Sequence, residues 1–133
     1  MIRKESLIEK YSESLIVEDM PEWIDPMLAT LTEDYFDDPN WIFERKLDGE
    51  RCIAYKSKDA SLFSRNKKKL NDVYPEIVEL LSSQGGQFIV DGEMVAFDGD
   101  ITSFSKLQKR MHKRDAKKIT ETGIKVYYYV FDI

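Results

Sequence analysis

From Trp41 the chain alternates between residue types at a period of two. In "WIFERK", Trp41, Phe43 and Arg45 fall on one face of an extended segment and Ile42, Glu44 and Lys46 on the other, which predicts a strand. "LDGE" then reads as a turn, because Asp-Gly is favoured where the backbone needs positive φ. "RCIAYKS" and "SLFSR" read as the next two strands, joined around Lys58 and Asp59. The period becomes helical in "NDVYPEIVELLSSQGG". There Val73, Ile77, Leu80 and Leu81 form the apolar stripe, Asn71 and Asp72 suit the cap region, Pro75 suits the first turn, and Gly85-Gly86 ends the helix. "QFIVDGEMVAF" is a long strand whose Gly92 marks a bulge or a close approach to the backbone. Residues 103–118 read as one or two helices and "GIKVYYYVFDI" as a final strand. Upstream, residues 3–15 predict a short helix with Leu7, Ile8, Tyr11 and Leu15 on one side. "MPEWIDPMLAT" reads as extended or looped, and "TEDYFDDPN" as an acidic loop or short helix ending at Asp38-Pro39. Strands interleaved with helices predict an α+β or mixed α/β domain.

Composition narrows the class. With 133 residues, 42% apolar and 34% charged, the chain suits one compact soluble domain with a sizeable core. No apolar run approaches a membrane span, and the first residues lack the apolar stretch of a signal peptide. The single cysteine, Cys52, cannot form an internal disulfide, so a reducing, cytoplasmic setting is expected. Its apolar neighbours predict a small buried side chain rather than a reactive thiol. The net charge of −5 is unevenly spread. Residues 1–40 carry 11 acids and 3 bases, and residues 41–133 carry 14 acids and 17 bases. An anionic ligand on the later part is therefore compatible with the acidic average. The strongest basic stretch, 103–118, holds seven Lys or Arg against one Asp. Lys106, Lys109, Arg110, Lys113 and Arg114 are candidates for contact with nucleic-acid phosphates, although a solvated helix face is the plainer reading. His112, the only histidine, sits in this stretch with no evident partner, which argues against a hydrolase that depends on histidine.

Chemistry concentrates in "ERKLDGER", residues 44–51. A lysine amine is a nucleophile only when deprotonated, and an exposed one titrates near about 10.4. Desolvation or nearby positive charge lowers that value, and Arg51 lies one short turn from Lys46. Glu44 opposes this, since strand alternation puts it on the face of Lys46 and a carboxylate there keeps the amine protonated. Spacing alone leaves both readings open and favours a Glu44–Lys46 ion pair.

The wider pattern changes that weighting. Lys46-x-Asp48-Gly49-x-Arg51 resembles the nucleotidyl-acceptor signature shared by ATP-dependent DNA ligases, RNA ligases and mRNA capping enzymes. Four specified letters occur by chance in roughly one chain in a thousand of this size. "SRN" (64–66), "VDGEMVAFD" (90–98) and "YYVFDI" (128–133) follow in the family's order, while "PMLAT" (26–30) and "DPNWIFERKLDGERC" (38–52) look most like bacterial and archaeal DNA ligases. The resemblance spans about residues 21–133 and implies an α+β, antiparallel-sheet-rich nucleotidyltransferase (adenylation) fold. It also implies roles. Lys46 attacks the α-phosphorus of ATP to form lysine–AMP, Glu44 reads the adenine amine, and Arg51 and Arg65 contact ribose and phosphates. Glu93 holds the ribose or, directly or through water, the metal, and Phe131 stacks on the adenine. Asp48 and Gly49 make the turn of the motif. The implied cofactors are ATP and Mg²⁺, and the implied partner is nicked or broken duplex DNA. No membrane partner is expected.

The resemblance has limits. The family continues with a Glu-Gly-x-x-x-Lys segment and a strand bearing paired lysines, and the sequence stops at Ile133 before either. The expectation is therefore a lead-in over 1–25, an adenylation domain over 26–133 cut before its last motifs, and no OB-fold domain. Sheet faces left uncovered invite self-association. After "SRN", Lys67-Lys68-Lys69 stand where the family commonly shows a glycine or a Gln-Lys-Asp turn. The alternatives are an RNA ligase or capping nucleotidyltransferase, or a non-catalytic fragment that binds nucleotide or nucleic acid.

Overall fold

The computed structural model describes residues 11–14 and 18–133. Among them the elements run β1 Glu50–Lys56, β2 Ala60–Ser64, α1 Pro75–Ser82, β3 Phe88–Val95, β4 Phe97–Asp98, β5 Ile101–Thr102, α2 Phe104–Met111, α3 Ala116–Glu121 and β6 Tyr127–Asp132. The order β2-β1-β3-β6 makes a four-stranded antiparallel sheet, and β4-β5 make a two-stranded ribbon. The helix expected over 3–15 lies largely outside the described residues.

Strand alternation sorts the sheet into two faces. Cys52 and Ala54 of β1, Leu62 of β2 and Val90 and Met94 of β3 point into the core, where Ile77 of α1, Leu107 of α2 and Val126 meet them. Cys52 is fully buried, and burial pushes its thiol well above the usual range, as expected of an inert core cysteine. Arg51, Ile53 and Tyr55 of β1 point the other way, as do Asp91 and Glu93 of β3. Gly92 explains how β6 closes the sheet. A side chain there would overlap the Tyr129 carbonyl and the Tyr128 ring. Without one, the Tyr128 hydroxyl comes within hydrogen-bond distance of Cys52 O at 2.7 Å and Val90 O at 3.0 Å. The register shifts between Asp91 and Gly92, with Phe131 the extra residue on β6, so the close approach expected at this glycine is present and the irregularity lies in the partner strand.

Three local expectations are corrected. "WIFERK" is extended but is not a strand, since no neighbouring strand pairs with it among the described residues. Its period of two survives only in that Trp41 and Phe43 both reach Phe36, with ring centroids 5.1 and 5.6 Å away. The stripe of α1 uses Val78 rather than Leu80, which is 60% exposed, because Val73, Ile77 and Leu81 centre the buried face on the other side. Asn71 does not cap α1. Its side chain accepts from Leu62 N and donates to Ala60 O, so it holds the β2 edge instead.

The basic stretch forms α2 and α3, capped by Ser103 and Asp115, which accept from Lys106 N and Lys118 N. His112 is exposed. Arg110 points inward and is 2% exposed. It binds Glu76 bidentately at 2.6 and 2.8 Å and donates to Val73 O at 3.0 Å. It therefore ties α2 to α1.

Candidate active site

The Lys46–Gly49 loop has no regular structure of its own, and its conformation is set by contacts to a later part of the chain. Asp48 N donates to Thr102 Oγ1 at 3.1 Å, and Asp48 Oδ2 accepts from Phe104 N, the first amide of α2, at 2.9 Å. Gly49 lies so close to β3 that a Cβ would overlap Met94 O and crowd the Glu93 side chain. Gly49 is thus required by contact, and not by the left-handed turn its sequence suggested, since its φ is not positive.

Beyond the glycine, β1 carries Arg51 directly opposite Glu93. Arg51 forms two bonds to Asp91, Nε to Oδ1 at 2.9 Å and Nη2 to Oδ2 at 2.6 Å, and the Asp91 bonds raise its pKa further. Asp91 was not singled out as a site residue. The signal for it lay in strand alternation, which puts the first and third letters of Asp-Gly-Glu on one face. The Arg51 guanidinium sits 5.1 Å from the centre of the Phe131 ring, and that residue is 48% exposed. Burial pushes the Glu93 carboxyl above its ordinary range, while the Arg51 and Lys46 cations and the Gly49 amide pull it back. Arg51, Glu93 and Phe131 therefore gather on the open sheet face, and Lys46 lies near enough for its charge to act on Glu93.

Glu44 is exposed, and among the described residues it makes no ion pair with Lys46 within the salt-bridge distance. Arg65 stands apart from the Glu93 cluster but shares with Arg51, Asn66 and Lys68 a recess of about 400 Å³. This recess offers cationic groups to an anion. A second cavity of about 280 Å³ reaches Asp91 and Asp132 and is floored by Ile53 and Ile89. The two recesses flank one Arg–Asp pair, Arg51 lining the first beside Glu50 and Asp91 lining the second beside Asp25 and Asp132. The open side of the "SRN" turn is closed by Lys67 at φ 61°, which takes the left-handed conformation that glycine would adopt more readily. Of the basic candidates, Lys109, Lys113 and Arg114 are exposed, whereas Lys106 is half-buried and pairs with Asp98 at 3.4 Å. Among the described residues, no group of three or more His, Cys, Asp or Glu is arranged to hold a metal ion.

The family model for the ATP-dependent DNA ligase domain matches residues 26–133. The chain belongs to the ATP-dependent DNA ligase family. A probable DNA ligase of Koribacter versatilis is 34% identical over 94 residues, covering 69% of this chain and 16% of that protein. A DNA ligase of Saccharolobus solfataricus is 34% identical over 100 residues, covering 71% and 16%. The chain thus spans about a sixth of the length of the curated ligases it matches. The ligase domain of M. tuberculosis LigD superposes with a TM-score of 0.52 at 28% identity, covering 67% of this chain and 27% of that one. A mycobacterial DNA ligase D complexed with ATP superposes at 0.51 with 26% identity over the same shares. These matches support the α+β nucleotidyltransferase fold of a ligase adenylation domain. No helix among the described residues is long and apolar enough to cross a membrane.

Proposed function

We propose that this chain is part of the adenylation domain of an ATP-dependent DNA ligase and that Lys46 is its nucleophile. What supports this reading is the placing of Arg51, Glu93 and Phe131 on one sheet face, with Lys46 near enough for its charge to act on Glu93. The lysine Nζ forms a P–N bond to the α-phosphorus of ATP, the bond to the β-phosphate breaks, and pyrophosphate and a proton leave. AMP then passes to a DNA 5′-phosphate, and a 3′-hydroxyl displaces it to seal the nick. The chemistry is in-line displacement, so positioning and charge neutralisation dominate the rate.

Each residue has a part. Arg51, fixed by Asp91, and Arg65 meet phosphate and ribose oxygens. Glu93 holds the ribose, Phe131 offers its exposed ring to the adenine, and Glu44 reads the exocyclic amine. Mg²⁺ enters this reading only as an ion held chiefly by the nucleotide phosphates, with Glu93 as the nearby carboxylate, and no step is derived through it. Lys109, Lys113 and Arg114 offer phosphate contacts to nicked duplex DNA in a cytoplasmic setting. The outer edge of β6, with Val130 and Phe131 about half exposed, is open to pairing with another strand, including that of a second copy. Residues 1–25 serve as lead-in to the domain over 26–133.

Competition between ATP and GTP, followed by transfer to nicked DNA or nicked RNA, tests the assignment. Labelling by AMP in preference to GMP, with transfer to DNA, is expected. Labelling by GMP indicates a capping enzyme, and transfer to RNA alone an RNA ligase.

A further inference from the structure

We propose that Thr102, which lies outside the ligase signature segments, is a positioning residue for Lys46. This rests on the proposed function for its catalytic consequence and on geometry for the rest. The Lys46–Gly49 loop is exposed and unpaired as backbone, and Lys46 has a long, rotatable stem. Holding its amine toward a substrate requires that the loop be anchored from outside. Two contacts come from the segment 93–104. Glu93 packs against Gly49 at one end, its Cγ 2.9 Å from where a Gly49 Cβ would stand. At the other, Thr102 Oγ1 accepts from Asp48 N at 3.1 Å while Asp48 Oδ2 accepts from Phe104 N at 2.9 Å. Asp48 is thus gripped through both its amide and its carboxylate, two residues from the nucleophile.

Thr102 is built for this part. It is 6% exposed at the end of a ribbon whose neighbour Ile101 is 66% exposed. The Ser103 amide donates to Ala96 O at 2.8 Å and fixes the ribbon against the end of β3. The clasp also joins the Lys46 loop to the first turn of α2, the helix that carries Lys109.

The test is Thr102→Val, which keeps the shape and removes the acceptor, beside Thr102→Ser, which restores it. Amide hydrogen exchange reads the clasp directly. Faster exchange at Asp48 in T102V, with T102S at the wild-type rate, is expected, and unchanged Asp48 exchange in T102V overturns the clasp. AMP transfer reads its consequence. Misplacement of a reacting group costs up to about 10²-fold, so T102V is expected to slow labelling of Lys46 by about 10- to 100-fold at an unchanged half-saturating ATP concentration. T102S is expected to recover it. A T102V chain that labels at the wild-type rate overturns the positioning role. A wild-type chain that takes no AMP counts against the proposed function instead, and the exchange arm still decides the clasp.

Discussion

Glu93 carries the clearest pH signature. Burial holds its proton to higher pH in the fold than in the unfolded chain, so its stabilising contribution is full below the unfolded pKa. That contribution is lost as pH rises through the raised folded value, which lies above the ordinary 4.5. Glu93→Gln is therefore expected to flatten the stability profile there. Relative to the variant, the wild type should lose stability as pH rises through and above the ordinary carboxylate value of 4.5, measured by urea unfolding. Equal slopes would remove the buried-carboxyl argument. Asp91 makes a second test. Its pair with Arg51 keeps some contact with water, the side chains being 14% and 24% exposed. Asp91→Asn is expected to cost about 1–2 kcal/mol, the lower part of the range for charged hydrogen bonds, and to slow AMP transfer. A loss of stability with unchanged transfer would make the pair purely structural. At this scale the sequence was informative in proportion to side-chain specificity. Asp48 and Gly49 could be read as a turn, but their partners Thr102, Phe104 and Met94 lie about fifty residues away, and no local pattern names them.

At the scale of elements, α2 divides the basic stretch by facing. Arg110 is a strut between helices, whereas Lys109 and Lys113 face water. Arg110→Met is expected to destabilise the fold by about 1–3 kcal/mol, because it leaves the buried Val73 carbonyl without its donor and the part-exposed Glu76 without its cation. Lys109→Ala and Lys113→Ala should leave stability nearly unchanged. Each should reduce the salt dependence of DNA affinity by about one counterion. Binding that does not respond to salt would contradict the phosphate-contact reading of this helix. Helices α1 and α2 and the inner strands were legible because their periods match their buried faces. The segment 41–46 was misread because period two records an extended backbone and says nothing of a hydrogen-bonding neighbour. Leu80 was misread because helical spacing admits two adjacent stripes, and only packing against the sheet selects one.

For the molecule as a whole, the asymmetry of the sheet is the main result. One face is closed by α1 and α2. The other is partly covered by the lead-in, where Trp23 stacks on Tyr55 at 5.9 Å and the Ile24 amide donates to the Tyr55 hydroxyl at 2.6 Å. Large apolar side chains remain exposed on the approach to the motif, among them Leu31 at 93% and Ile42 at 88%. Apolar patterning marks a residue that favours cover without naming what covers it, so the sequence could not foretell this exposure. The open face carries Arg51, Glu93 and Phe131 with Lys46 nearby, and the central claim is that this arrangement makes Lys46 an acceptor of AMP. Intact-mass measurement after incubation with ATP and Mg²⁺, with peptide mapping, tests it directly. The wild-type chain should gain one AMP on Lys46 and Lys46→Ala should gain none. AMP on another residue, labelling that persists in Lys46→Ala, or an unchanged mass despite bound ATP would contradict the account.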